Sequence, residues 1–332
     1  MFDKKCVDFH GRRAIIVENL DNYSLKDTFE CGQCFRFLKI FPSEEERAVY
    51  SDGEMKDYVE YMTVVGEKII FVGQRNTNEL IFYDVSEREF SDICVPYFAL
   101  DRDYAAIKAN IISHTDSEFL KNAAEVASGI RILRQEPWET LFSFIISQNN
   151  NIPRIKKIIR NISSQYGENL AEKLCLSKCP RKSSENSCGD TAINLDECKK
   201  CGICFSFPKP EAVNDAPELL LDSHPGFRYK YLTDAANKVC RGEIDFEKIK
   251  EKNSYSFTVE ELTKIKGVGE KVASCTSLFA FSNLDAFPID VWMKRAIDEY
   301  FDGKLDPKTL GEYAGVAQQY IFHYIRMLSS AV

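Results

Sequence analysis

An α+β fold, with an antiparallel sheet followed by an all-helical part, is what the sequence predicts, on three observations. Over residues 1 to about 105 the apolar side chains come in short β-branched and aromatic runs separated by turn residues. From about 106 to 332 they recur at helical spacing, broken at Gly, Pro and Ser. Late in the chain, Lys266-Gly267-Val268-Gly269 splits one helical phase into two, which makes a helical hairpin. A chain of 332 residues with 44% hydrophobic and 28% charged residues has ample material for a core.

Taken in order, the strand-like runs are Arg13–Leu20, Cys34–Leu38, Tyr58–Val65 and Glu67–Val72, with Val65-Gly66-Glu67 as a turn between the last two. The stretch Phe29–Arg36 interrupts this pattern at Gly32, which read alone is a bulge glycine. A boundary near Phe98–Asp101 leads into the helices. Glu139–Ile146 is an apolar helical phase, Gln148–Asn151 stops it, and Arg154 onward starts a helix with basic residues outward. Further on, Phe227 stands beside Arg228, and Gln318 and Phe322 fall four residues apart on one helical face. There is no internal repeat.

The hairpin carries the chemistry. Gly267 and Gly269 lack the Cβ that would keep another backbone away. Amides at the start of the following helix have no internal partner and suit an anionic phosphate, which binds backbone rather than sequence. Lys271 lies in the first turn of that helix, with Cys275 on the same face. Asp290 follows Phe287-Pro288-Ile289, which Pro288 biases towards an extended form, and precedes a helical run. It is an N-cap candidate with its second oxygen free. Taken singly, these residues equally describe a surface hairpin with a solvated lysine and an ordinary Asp cap.

The net charge of −8 runs against the basic excess usual for phosphate binding, but only the binding face must be basic. Arg131, Arg134, Arg154, Lys156, Lys157, Arg160, Arg228, Lys230, Lys264, Lys266 and Lys271 supply one, and the acidic runs near residues 43–47 and 85–89 belong to other segments. No apolar run reaches the roughly 20 residues of a membrane span. The first residues lack an apolar signal core, so a cytoplasmic location and thiols rather than a disulfide scaffold are expected of the twelve cysteines. Six of these, Cys175, Cys179, Cys188, Cys198, Cys201 and Cys204, fall together. Cys198, Cys201 and Cys204 with one of the other three suit a structural tetrahedral zinc site, ahead of an iron–sulfur cluster, although the six also fit free thiols of a cytosolic protein.

Three strings resemble a known family. Leu262–Tyr300, with Gly267-Val268-Gly269, Lys271, Pro288 and Asp290, resembles the helix-hairpin-helix, Gly/Pro…Asp (HhH-GPD) motif of base-excision DNA glycosylases. Phe29–Arg36 resembles the SGQSFRW-like element of the 8-oxoguanine DNA glycosylases, and LFSFIISQNNNIPRI, Leu141–Ile155, their LFSFICSSNNNIARI element. The resemblance implies a TBP-like antiparallel α+β domain at 1–105 and a helical HhH-GPD domain at 106–332, with a Cys-rich insert at about 168–206 that the family generally lacks. It implies a bifunctional enzyme that excises 8-oxoguanine opposite cytosine through a lysine Schiff base and nicks the abasic strand by β-elimination, needing no catalytic cofactor.

Residue by residue, the resemblance makes Lys271 the nucleophile and Asp290 the essential carboxylate. The Gly32 carbonyl accepts the hydrogen that N7 carries only in the oxidised base, Cys275 and Phe322 sandwich that base, and Gln318 reads its pairing edge. Asn149 fills the vacated space, Arg154 and Arg228 contact the widowed cytosine, and Phe227 is the wedge. Gly267, Gly269 and Trp292 lie on the phosphate side. Trp292 stands where eukaryotic members carry histidine and Ile325 where they carry aspartate, which points to a bacterial or archaeal-type member. The expected partner is double-stranded DNA containing 8-oxoguanine opposite cytosine, bound by a monomer without a membrane. The alternatives are a thymine-glycol or adenine-mispair glycosylase, whose usual C-terminal four-cysteine loop is missing because no cysteine follows Cys275, and a non-catalytic helix-hairpin-helix DNA-binding or damage-sensing module, which needs neither Lys271 nor Asp290.

Overall fold

The computed structural model describes residues 2–9, 11–41, 57–171 and 202–330. Its N-terminal part is a six-stranded antiparallel sheet built from β1 (Asp3–Phe9), β2 (Arg12–Glu18), β3 (Phe37–Phe41), β4 (Val59–Val65), β5 (Lys68–Gln74) and β6 (Leu80–Tyr83), in the order β1-β2-β6-β5-β4-β3. A short helix, α1 (Leu25–Glu30), capped by Ser24, crosses between β2 and β3. Two of these strands carry no alternating signal in the sequence. β1 is an edge strand and mostly exposed, so it needs few apolar residues. β6 is buried on both faces: Leu80 and Phe82 point to one core while Ile81 and Tyr83 point to another, and a strand covered on both sides shows no alternation.

The strand expected over Cys34–Leu38 begins only at Phe37. Residues 33–37 are all buried because this stretch bridges two cores. Cys31 and Phe35 join the helical core, Phe35 meeting Phe144 edge-on at 5.7 Å, while Cys34 and Phe37 join the core under the sheet. A segment shared between two cores has no single face to alternate against.

The longer α-helices are α2 (Tyr104–Ser113), α3 (Glu118–Val126), α4 (Pro137–Ser147), α5 (Ile152–Tyr166), α6 (Pro210–Asp215), α7 (Tyr229–Cys240), α8 (Phe246–Lys252), α9 (Tyr255–Leu262), α10 (Glu270–Ala280), α11 (Val291–Tyr300) and α12 (Ala314–Ser330). α4 is the central one, buried at Trp138 and from Thr140 to Ile146, and it starts cleanly because Pro137 occupies its first turn and Glu136 caps Glu139 N. α10 packs along it, with the Phe144 and Phe279 rings stacked at 5.5 Å. That packing sets the hairpin beside the segment that leaves α4.

The other face of the sheet is covered by the two ends of the cysteine-rich excursion. Ala171, Ile203 and Cys204 join Ala14, Ile16, Tyr58, Met62, Phe71, Ile81 and Tyr83 in one apolar cluster. Asn169 and Phe205 pair as an antiparallel bridge, and Leu170 N donates to Cys204 O at 2.8 Å. Arg36 ties this base to the rest: its guanidinium is ion-paired to Glu139 at 2.7 Å, donates to Phe205 O and faces the Phe207 ring. Of the six clustered cysteines, Cys175, Cys179, Cys188, Cys198 and Cys201 lie outside the described residues, and Cys204 is buried against the sheet. Among the described residues no group of three or more metal-ligating side chains occurs, and no helix is long and apolar enough to cross a membrane.

Candidate active site

The two ends of the hairpin differ in what their glycines do. Gly267 has φ +77°, and a Cβ there would run into the Tyr231 ring, so both backbone and packing demand glycine. Gly269 is extended at φ −100°, is the N-cap of α10 with no side-chain cap, and has open space where a Cβ would sit. The first amides of α10 therefore face solvent uncapped, which is the arrangement an anion needs. Gly267→Ala should lower stability by about 1–3 kcal/mol through strain and collision. Gly269→Ala, which only exchanges one N-cap residue for a poorer one in open space, should cost less stability, about 1 kcal/mol or under, and weaken duplex DNA binding. Thermal melts with binding isotherms check this, and equal losses of stability in both variants would contradict it.

Lys271 is in the first turn of α10, half-buried, with Nζ 5.0 Å from the Phe144 ring centroid. One turn on, the Cys275 thiol is buried; burial pushes its pKa up, with the Lys271 charge acting in the opposite sense, so it remains a thiol. Asp290 caps α11 as its position suggests. Its Oδ1 accepts from Trp292 N at 3.0 Å and Met293 N at 2.9 Å, while among the described residues no hydrogen bond engages Oδ2. One oxygen fixes the carboxylate and the other is left for chemistry.

Lys271 and Asp290 open into one cleft of about 730 Å³ together with Gly32, Asn149, Trp292 and Phe322. These come from four separate parts of the chain. Gly32, at φ +87°, forms a wall with Phe322 of α12, and its place is fixed by Gln33, which is fully buried. The Gln33 amide donates to Thr28 O and Arg131 O, both at 2.8 Å, and accepts from Leu133 N at 2.8 Å. Asn149 is exposed in the left-handed region, φ +46°, at the tip of the turn between α4 and α5.

The remaining candidates surround this cleft. Cys275 and Gln318 are buried and do not line it; Gln318 Oε1 accepts from Gln319 Nε2 at 2.7 Å. Arg154 is exposed at the start of α5, where Asn151 caps its amide. Phe227 is 52% exposed and meets Tyr231 edge-on at 5.9 Å. Arg228 is only 3% exposed and is engaged by backbone: it donates to Gln148 O, to Asn149 O at 2.8 Å and to Pro225 O at 3.1 Å. It thereby braces the turn that carries Asn149.

The basic face is narrower than the sequence indicates. Arg131 is buried between the Tyr23 and Tyr104 rings, and Arg134 and Lys264 are paired with Asp101 and Glu261. Lys156 lies over the Phe37 ring, and burial lowers its pKa. Arg154, Lys157, Lys230 and Lys266 remain exposed. The sequence also missed cleft residues, including Phe35, Phe144, Gln148, Ile289, Lys294 and Arg326. Phe144 and Phe35 read as core from periodicity, and Arg326 follows Phe322 by one helical turn, the spacing that should have raised it.

Known proteins agree with this architecture. A family model described as the N-terminal domain of 8-oxoguanine DNA glycosylase matches residues 15–141. The N-glycosylase/DNA lyase of Saccharomyces cerevisiae is 27% identical over 302 residues, spanning 86% of this chain and 69% of that one. The Clostridium acetobutylicum 8-oxoguanine glycosylase/lyase, solved in complex with double-stranded DNA containing cytosine opposite 8-oxoguanine, is 32% identical with a TM-score of 0.75, covering 99% of this chain and 98% of that one. A structure of MBOgg1 in complex with a low-affinity DNA ligand gives 32% identity and a TM-score of 0.76 over 98% of this chain and 99% of the other. With likeness of sequence and fold over both parts of the molecule, the chain belongs to the 8-oxoguanine DNA glycosylase/lyase family of helix-hairpin-helix DNA glycosylases.

Proposed function

We infer that this chain excises 8-oxoguanine opposite cytosine from duplex DNA and then nicks the abasic strand. The observation that carries the reading is the convergence of Lys271 and the unengaged Oδ2 of Asp290 on one cleft beside an uncapped helix N-terminus. The glycosidic bond is inaccessible within the duplex, so the lesion must leave the stack. The α10 amides and the exposed lysines and arginines hold phosphates, Phe227 enters between bases, and Asn149 occupies the vacated space. Gly32, Cys275, Gln318 and Phe322 receive the base. The latter reading requires Cys275 and Gln318, buried in the free protein, to become accessible when DNA binds.

Lys271 attacks the anomeric carbon as a neutral amine while the bond to the base breaks, the departing base taking a proton. Asp290 stabilises the positive charge that develops on the sugar and helps remove the proton from the lysine amine. The adduct opens to an imine, a 2′ proton passes to water as the 3′ phosphate leaves with its bonding electron pair, and a second water hydrolyses the imine to free Lys271. The test is a single-turnover assay on an 8-oxoguanine:cytosine duplex: release of base and a strand nick are expected, and tight binding without either would favour a damage-sensing module.

On the spacing of its cysteines, the excursion would hold a structural zinc through Cys198, Cys201 and Cys204 with one of Cys175, Cys179 or Cys188, of which only Cys204 lies among the described residues. A closed four-thiolate site has no open position for chemistry. Elemental analysis of protein purified under reducing, anaerobic conditions should find about one zinc per chain, and near-zero zinc and iron would rule the site out.

A further inference from the structure

Arg326 lines the cleft and has no place in the chemistry described so far. It lies on α12 one turn beyond Phe322, with its guanidinium carbon 5.3 Å from the centre of the Phe322 ring. It also reaches Gly32: a Cβ built on that glycine would lie 4.0 Å from Arg326 Nη1 and 3.8 Å from Phe322 Cε1. The Gly32 loop is held in this register from both sides. Gln33 anchors it to the segment before α4, and α1 approaches α12 through Asp27 and His323, whose Oδ1 and Nε2 are 3.9 Å apart. The Gly32 backbone and a guanidinium therefore stand side by side at one wall of the cleft.

That pairing has a chemical complement. The oxidised purine carries a hydrogen on N7 and an oxygen on the neighbouring C8, so one edge presents a donor next to an acceptor. Undamaged guanine presents an N7 acceptor and a C–H at the same places. We propose that Arg326 is a specificity residue, donating a hydrogen bond to the C8 oxygen of the lesion while the Gly32 carbonyl accepts from N7. A guanidinium has five N–H donors, so this contact does not require Arg326 to give up another partner. Guanine in the same register loses the arginine contact and sets its N7 lone pair against the glycine carbonyl. Two adjacent contacts, both lost together, discriminate more sharply than either alone.

The inference rests on the proposed excision of 8-oxoguanine, and its test separates the two. Arg326→Met keeps an apolar stem of similar length beside Phe322, and Arg326→Lys keeps a cation. Wild-type protein and both variants would be assayed under single turnover on two duplexes, one with 8-oxoguanine opposite cytosine and one with a preformed abasic site, which offers no base to read. For Arg326→Met the ratio of excision to abasic-site nicking should fall about 10- to 100-fold, the range of a hydrogen bond to a charged group. Arg326→Lys should recover part of that loss. An unchanged ratio overturns the proposal, whether because neither rate moves or because both fall together, as they would if Arg326 contacts a phosphate or only supports α12. Failure of the wild-type protein to excise the base would instead overturn the functional reading itself.

Discussion

Lys271→Gln should abolish covalent capture of the protein on DNA. With borohydride present, wild-type protein and an 8-oxoguanine duplex should give a stable adduct, because reduction fixes the imine between the lysine and the sugar. A glutamine amide forms no imine, and excision should fall on the order of 10⁴-fold or more, as when other enzymes lose their nucleophile. The substitution should not disturb the fold. Lys271 sits half-buried at the start of α10, where a positive side chain is unfavourable against the helix dipole, so a neutral residue of similar length costs little there. An unchanged melting temperature with no adduct is the expected pair of results. An adduct that survives in Lys271→Gln would show that another amine does the work.

Asp290→Asn should separate the two oxygens of that side chain. Asparagine caps a helix about as well as aspartate, so the bonds now made by Oδ1 to the amides of Trp292 and Met293 are kept and stability should hardly change. What is lost is the negative charge at Oδ2, and with it stabilisation of the cationic sugar and activation of the amine. Turnover should fall by about 10² to 10⁴-fold with DNA affinity largely preserved. Asp290→Ala should behave differently, losing the cap as well, at about 1 kcal/mol of stability. Single-turnover rates, binding isotherms and thermal melts on the three proteins make the comparison. If Asp290→Asn excises the lesion at the wild-type rate, Asp290 is a helix cap and nothing more.

The sequence by itself determined the parts of this protein that local chemistry dictates. The hairpin was legible because Gly267 must take positive φ, and because the backbone at Pro288 and the cap at Asp290 announce the next helix. α4 and α5 were legible from their apolar period, and the turn between them from Gln148–Asn151. The antiparallel sheet was legible where a strand is a sustained β-branched and aromatic run or ends at a marked turn, as at Gly66. The family resemblance rested on these same short strings, whose residues are fixed by backbone geometry and by the reaction.

Only the tertiary structure decided which of those residues meet. β6 and the Gln33–Phe37 stretch are covered on two sides, so periodicity had no solvent face to report. Arg131 and Arg228 are arginines in the sequence and buried backbone braces in the fold, because carbonyls left unpaired by turns at residues 128–130 and 148–149 recruit them. Cys275 and Gln318 share helical faces with Lys271 and Phe322, yet helix packing places them behind the cleft. Gly32 lies far along the chain from Phe322 and Arg326, and the three form one wall because α1 meets α12 at Asp27 and His323. Local pattern states what each residue can do, whereas burial and long-range packing decide which groups are left facing the substrate.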